Sequence, residues 1–308
     1  MTNQTNLVRN SSVKRAINVI GDYWVMLIMG EALLGSHRYS EFFESLDITH
    51  ATLSNRLKRL VAAGLLVKII GASENGHKKY HLTEKGRHMF QVLLVIWDWE
   101  VHSMEPDSKM GSSTKITHKL CGRQTRPTLI CTHCGELIHS RDVHSENGPG
   151  AGEEPAAAIR MQRQAVPSGL KKTLITRALT IVGDRWASII LAASFRGSRR
   201  FEEYRLLLKI SPQILSQRLS MLVELRMLER RVYQQAPNRY EYRLTKKAID
   251  FYPVIVSLMT WGDRWLAGEE GPPIILHHEI CGKQLAPLLT CCYCHEGIEL
   301  DEIHAHTE

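Results

Sequence analysis

The sequence contains no apolar run near the ~20 residues that span a bilayer; its best, Val92–Trp97 and Ala187–Ala193, are far shorter. Its opening residues, MTNQTNLVRNSS, hold no apolar signal core, so a cytoplasmic location without membrane association is expected. A Gly-rich phosphate loop, an HExxH helix and a G-x-S-x-G elbow are all missing, which leaves nothing local to support an enzyme. Cysteine is absent outside two short clusters, which hold all seven. In a reducing cytosol that distribution favours metal ligation over disulfides. What is present, 44% apolar and 23% charged residues, excludes a disordered chain. An excess of 39 basic over 32 acidic residues suits a polyanionic partner without requiring one.

The chain repeats itself. RAINVIGDYW (Arg15–Trp24) returns as RALTIVGDRW (Arg177–Trp186), an offset of 162 (186 minus 24). At the same offset GSHRYSEF becomes GSRRFEEY, ATLSNRLKRL becomes QILSQRLSML, and YHLTEKG becomes YRLTKKA. Further on, HKLCGRQTRPTLICTHC (His118–Cys134) matches HEICGKQLAPLLTCCYC (His278–Cys294), now at offset 160. Between the copies HSENGPGAGEEPAAA is rich in Gly, Pro, Ala and Glu and reads as a linker, with a short helix expected in Ala157–Gln164.

Within each copy the periodicity predicts helices over Val13–Ile20, Tyr23–Leu34 and Arg38–Leu46, then an amphipathic helix over Ala51–Ala63 with Leu53, Leu57 and Leu60 on one face. Asp22 stands where it can cap the second helix, and Gly64 suits the end of the fourth. In copy two Ser211-Pro212 is a cap followed by proline at the first helical position. Two short helices joined by a tight turn form a helix-turn-helix. The β-leaning pairs Leu65–Ile70 with Lys79–Leu82, and Leu228–Tyr233 with Tyr240–Leu244, read as hairpin wings. A last helix should run from Thr83 or Thr245 to near Trp99 or Trp261. The expected fold is therefore mainly α with small β-hairpin wings, an α+β class. It comprises winged helix-turn-helix domains at 11–104 and 171–267, His/Cys zinc-ribbon-like segments at 115–143 and 275–303, and a linker at 144–170.

The IGDYW/VGDRW helix start, the GSHRYSEF/GSRRFEEY block, LSNRLKRL/LSQRLSML and the Y-x-LT wing exit together resemble the HxlR family of bacterial winged-helix transcriptional regulators. The resemblance implies control of transcription through the major groove of double-stranded DNA, usually by homodimers joined through their terminal helices. It also implies a reactive cysteine ahead of the first helix in many members. Here Ser11 and Thr173 stand at about that position, which argues against thiol sensing of that kind.

With leucines facing inward, Thr52, Asn55, Arg56, Lys58 and Arg59 are expected outward on the first recognition helix, and Gln213, Ser216, Gln217 and Arg218 on the second. Asn or Gln can pair with adenine and Arg with guanine, while Ser and Thr reach base edges or phosphates. The wings add Lys68, His77, Lys78 and Lys79 in copy one, and Arg230, Arg231 and Arg239 in copy two. Lys58 and Arg59 become Ser220 and Met221, so the first module should carry more of the electrostatic binding. Two modules in one chain could form a pseudo-dimer internally, or each could pair with a second chain as a homodimer.

The spacing H-x2-C-G-x8-C-x2-C occurs in both clusters. Three thiolates and one imidazole per copy, His118, Cys121, Cys131 and Cys134, then His278, Cys281, Cys291 and Cys294, fit two structural zinc sites. His295 replaces the glycine expected after the last ligand, and Cys292 is a spare thiol, either a substitute ligand or a bystander. The expected function is a DNA-binding transcriptional regulator. Its rivals are a protein-interaction scaffold and a metal- or thiol-responsive switch.

Overall fold

The computed structural model describes residues 7–70, 78–102, 114–155 and 176–307. In copy one β1 (Leu7–Arg9) precedes α1 (Ser12–Ile20), α2 (Tyr23–Leu33), α3 (Tyr39–Leu46) and α4 (His50–Ala62). The wing β2 (Leu66–Ile70) and β3 (Lys78–Leu82) follows, then α5 (Glu84–Arg87) and α6 (Met89–His102). The His/Cys segment contributes β4 (Thr114–His118), β5 (Arg123–Gln124), β6 (Pro127–Cys131) and β7 (Val143–Asn147), and β8 (Glu153–Pro155) lies beyond it. Copy two repeats the order as α7 (Thr176–Val182), α8 (Arg185–Phe195), α9 (Phe201–Leu208), α10 (Pro212–Glu224), β9 (Leu228–Gln234), β10 (Arg239–Leu244), α11 (Lys246–Ile249) and α12 (Tyr252–Leu266). Its His/Cys segment holds β11 (Ile274–His278), β12 (Lys283–Gln284), β13 (Pro287–Cys291) and β14 (Ile303–Thr307).

The expected helices form within a residue or two of their predicted limits. The last helix of each copy is broken near His88 and Asp250, where the short α5 and α11 end. No single helix among the described residues is long and apolar enough to cross a membrane.

The chain divides into two compact units, and neither corresponds to one repeat. The first unit comprises Val19–Thr128, Gln162–Gly183 and Leu289–Glu308; the second comprises Met1–Asn18, Leu129–Met161 and Asp184–Leu288. Each unit therefore holds the winged helix of one repeat completed by segments of the other. In the first, α2 is buried almost all round, from Tyr23 to Met29, as a central helix must be. There the Glu100 carboxylate of α6 accepts the backbone N–H of Ala178, from copy two's first helix, at 2.7 Å. In the second, α1 buries Val13, Ala16 and Ile17 at helical spacing. Its Ser12 hydroxyl donates to Asp263 of α12, and Arg15 donates to the Leu266 carbonyl at 3.3 Å. Gly262 is needed at this crossing, because a Cβ there would meet the Ser12 carbonyl oxygen at 2.5 Å.

The stretch read as a linker is partly strand. β7 pairs antiparallel with β11, Ile274 opposite Asn147 through His278 opposite Val143, and β8 pairs with β1. Polar strands of this kind carry no period-2 signal, and remote ladder partners hold them. By the same logic His304 lies in β14, opposite Thr117 of β4. The expected helix at Ala157–Gln164 lies outside the described residues.

Candidate nucleic-acid interface and metal centres

Each helix-turn-helix is set by three local devices that recur in both copies. Asp22 caps α2 by accepting the Val25 N–H, and Asp184 caps α8 by accepting those of Trp186 and Ala187. Glu41 accepts the backbone N–H groups of His37 and Arg38 at 2.7 and 2.8 Å, fixing the start of α3; Glu203 does the same for α9. Those backbone bonds hold both carboxyls below their ordinary range. Thr83 and Lys85, from the LTEK motif, donate to the Gly64 and Ala63 carbonyls at the end of α4, and Thr245 and Lys247 repeat this at Arg226 and Leu225. Carbonyls left free at a helix terminus thus receive donors and a positive charge.

The capping aspartates have a second role that sequence reading missed. Arg56 Nε donates to Asp22 Oδ1 at 2.9 Å, its Nη2 lies 2.9 Å from Oδ2, and Arg59 approaches Oδ2 at 3.4 Å. In the second unit Arg218 Nε lies 2.6 Å from Asp184 Oδ2. The Arg56 and Arg218 side chains are only 13% and 12% exposed, so they are not on the outward face where they were expected. A carboxylate one helix away turns them inward, and the D-Y-W/D-R-W and N-R-L/Q-R-L motifs are the two halves of that clamp. Met221 stands where Arg59 does, so Asp184 meets one guanidinium where Asp22 meets two.

What remains outward fits a groove reader. Asn55 and Lys58 are exposed, and Thr52 and Arg59 half-buried, on α4. The Thr52 hydroxyl pairs with that of the capping Thr49 at 2.8 Å. His50, which sequence reading passed over, is exposed at the start of α4 and stacks on Phe43 at 4.0 Å. On α10 Gln213, Ser216 and Gln217 are exposed and uncharged. In the wings Lys68, Lys78 and Lys79 are exposed, as are Arg230, Arg231 and Arg239; Arg231 is offset by Glu229 at 2.5 Å. His77 lies outside the described residues.

The eight His/Cys residues converge as two clusters, with a different partition from the one expected. The first unit gathers His118, Cys121, Cys291 and Cys294; the second gathers Cys131, Cys134, His278 and Cys281. Each cluster therefore joins the H-x2-C knuckle of one repeat to the C-x2-C knuckle of the other. Identical spacing makes the two knuckle types interchangeable, so connectivity cannot be read from sequence. In the first cluster Cys121 Sγ is 3.8 Å from Cys291 Sγ, and His118 Nδ1 is 3.6 and 3.3 Å from Cys121 and Cys294 Sγ. In the second, Cys131 and Cys281 Sγ are 4.0 Å apart, and His278 Nδ1 is 3.3 Å from Cys134 and 3.7 Å from Cys281. Tetrahedral zinc, with Zn–S near 2.3 Å and Zn–N near 2.0 Å, requires S···S edges of about 3.8 Å and S···N edges of about 3.5 Å. The residues present fit that ion.

His118, His278, Cys131 and Cys291 are fully buried. Burial pushes the Cys291 thiol up, but bonds from the Thr125 hydroxyl and the Cys294 and Tyr293 backbone outweigh it and lower the thiol to about 6. Gly122, Gly135 and Gly282 turn their knuckles with φ near +70°, and His295 adopts the same left-handed backbone at φ 61°. The missing glycine therefore does not abolish the turn. Cys292 stands apart from both clusters, its Sγ accepting the Arg126 backbone N–H at 3.3 Å.

Comparison with known proteins finds relatives among HTH-type transcriptional regulators. An uncharacterized HTH-type transcriptional regulator of Mycobacterium tuberculosis (strain H37Rv) is 46% identical over 140 residues, 45% of this chain and 87% of the relative. YdeP, an HTH-type regulator of Bacillus subtilis, is 34% identical over 92 residues, 30% of this chain and 72% of its own. The solved structure of a candidate transcription factor from Pseudomonas aeruginosa shares 34% identity over 41% of this chain and 85% of its own, with a TM-score of 0.33. The HxlR-like helix-turn-helix family matches residues 19–108 and again 181–270. The chain belongs to that family of transcriptional regulators, with its DNA-binding domain present twice.

Proposed function

We propose that one chain reads an operator by itself, α4 and α10 supplying the two major-groove readers that single-module regulators obtain by pairing two chains. The observation that supports this is the exchange of segments: each unit takes its first helix and half of its His/Cys ligands from the other repeat. Asn55, Lys58, Gln213, Ser216 and Gln217 face the bases, with Thr52, Arg59 and the exposed wing cations on phosphates. Arg56 and Arg218 orient the recognition helices through their aspartates. His118, Cys121, Cys291 and Cys294 hold one zinc ion, and Cys131, Cys134, His278 and Cys281 a second. Zinc in such closed four-donor sets supplies folding energy and offers no open coordination position.

Metal content of double variants tests the partition. Cys121→Ser with Cys131→Ser should remove both zinc equivalents, whereas Cys121→Ser with Cys291→Ser should remove one. The reverse pattern would establish sequential ribbons. For the operator, a defined monomer should bind a fragment upstream of its own gene at one chain per site, weakened by Asn55→Ala and by Gln217→Ala. Two chains per site, or binding indifferent to sequence, would overturn the one-chain reading.

A further inference from the structure

The second unit holds a cavity of about 420 Å³ that neither the DNA face nor the His/Cys clusters use. Its volume falls in the range of small-molecule sites, roughly 300–1,000 Å³. The walls are apolar and aromatic: Trp186 and Phe195 of α8, Tyr252, Ile255 and Met259 of α12, and Leu276 of β11. The Phe195 and Tyr252 rings lie 4.8 Å apart, tilted by 53°. Lys14, Arg185 and Arg196 also border the space, and each already holds an interaction of its own, so their charges do not single out an anion.

Tyr252 is in a different position. It is 6% exposed, and burial alone pushes its phenol above the ordinary range, with no hydrogen bond or charge acting beside it. Its hydroxyl therefore has no partner among the described residues. Tyr204, also buried, instead shares its hydroxyl with Ser194 and donates to the Ser198 carbonyl, both at 2.7 Å. A buried donor without an acceptor is costly, and an acceptor on a bound molecule relieves that cost. Copy one carries Phe90 at the position of Tyr252, equally buried, so the packing there needs the ring and not the oxygen. Copy one also carries Trp97 where copy two has Met259, and Glu31 where it has Ala193. The smaller side chains and the spare hydroxyl thus occur together, in copy two.

We propose that this cavity binds a small neutral aromatic molecule with a carbonyl or ether oxygen, which accepts a hydrogen bond from the Tyr252 hydroxyl. Apolar and aromatic walls supply burial, and the spare donor fixes orientation. A charged molecule is disfavoured, because an ion buried without a free counter-charge loses its hydration uncompensated.

Calorimetry on the full chain with three near-isosteric probes tests the site: the ketone tetralone, its parent hydrocarbon tetralin, and the anion naphthoate. Tetralone should bind saturably, and tetralin and naphthoate about tenfold or more weaker. Tyr252→Phe, which gives copy two the side chain of copy one, should weaken tetralone about tenfold and leave tetralin unchanged. Met259→Trp should weaken both about tenfold by filling the space. Thermal melting identifies any variant that fails to fold, and Tyr252→Phe, whose ring copy one already packs, carries the test by itself. The proposal is overturned if tetralin or naphthoate matches tetralone, if tetralone does not bind below ~5 mM, or if folded Tyr252→Phe or folded Met259→Trp leaves tetralone affinity intact.

Discussion

The two recognition helices are held in the same way and present different chemistry. Both are clamped by an arginine, Arg56 or Arg218, to the aspartate that caps the preceding long helix. Outward, α4 offers Asn55 beside Lys58 with Arg59 at the margin, whereas α10 offers Gln213, Ser216, Gln217 and Ser220 without a charge. A duplicated reader can thus keep its internal clamp unchanged while its outer face diverges. The first module suits phosphate attraction as well as base contact, and the second suits uncharged readout.

The clamp itself should give the largest effect. Removing one partner of a buried ion pair leaves a charge stranded, and here the aspartate is also a helix cap. Asp22→Ala should cost about 3 kcal/mol and Asp184→Ala about 2 kcal/mol, because Asp22 meets a second guanidinium and is the more buried. Denaturant unfolding measures both, and equal losses would show that Arg59 adds nothing. Next in size are the outward charges. Exchanging them, with Lys58→Ser in one variant and Ser220→Lys in another, should lower and raise the salt dependence of DNA affinity by about one unit of log-log slope. Titration of binding against salt checks this, and identical slopes would erase the proposed division of work.

The smallest effect concerns how each unit holds its borrowed helix. Asp263 in the second unit is raised to about 6, chiefly by burial, with Ser12 and Arg15 pulling against it. The folded unit therefore prefers this carboxyl protonated. Its contribution is fully present below the ordinary value of 3.8 and is lost as pH rises through about 6. Asp263→Asn should melt less pH-dependently than the parent between about pH 4 and 6. An unchanged profile would remove Asp263 from the balance.

Local order was legible in the sequence because it is periodic. Leucines at 53, 57 and 60 and at 215, 219 and 222 define buried faces without any tertiary knowledge, and all six are buried. The direction of Arg56 was not, because a helical wheel cannot register a carboxylate 34 residues away. The His and Cys members of the clusters were all legible from spacing, yet their partition was not, since two identical spacings permit either pairing. β7 and β14 were missed for a related reason: HSEN and HAHT gain strand structure only from β11 and β4.

The shared construction of the two units also sets an order of events at the ribosome. The first winged helix is translated early, but its unit is not complete until residues 289–308 have emerged. Until then Cys121 and His118 lack their thiol partners Cys291 and Cys294. Domains that fold as they emerge depend on contacts close in sequence, and contacts this distant postpone closure until most of copy two has been made. A message truncated just before residue 289 would therefore leave the second unit whole and the first without Cys291 and Cys294.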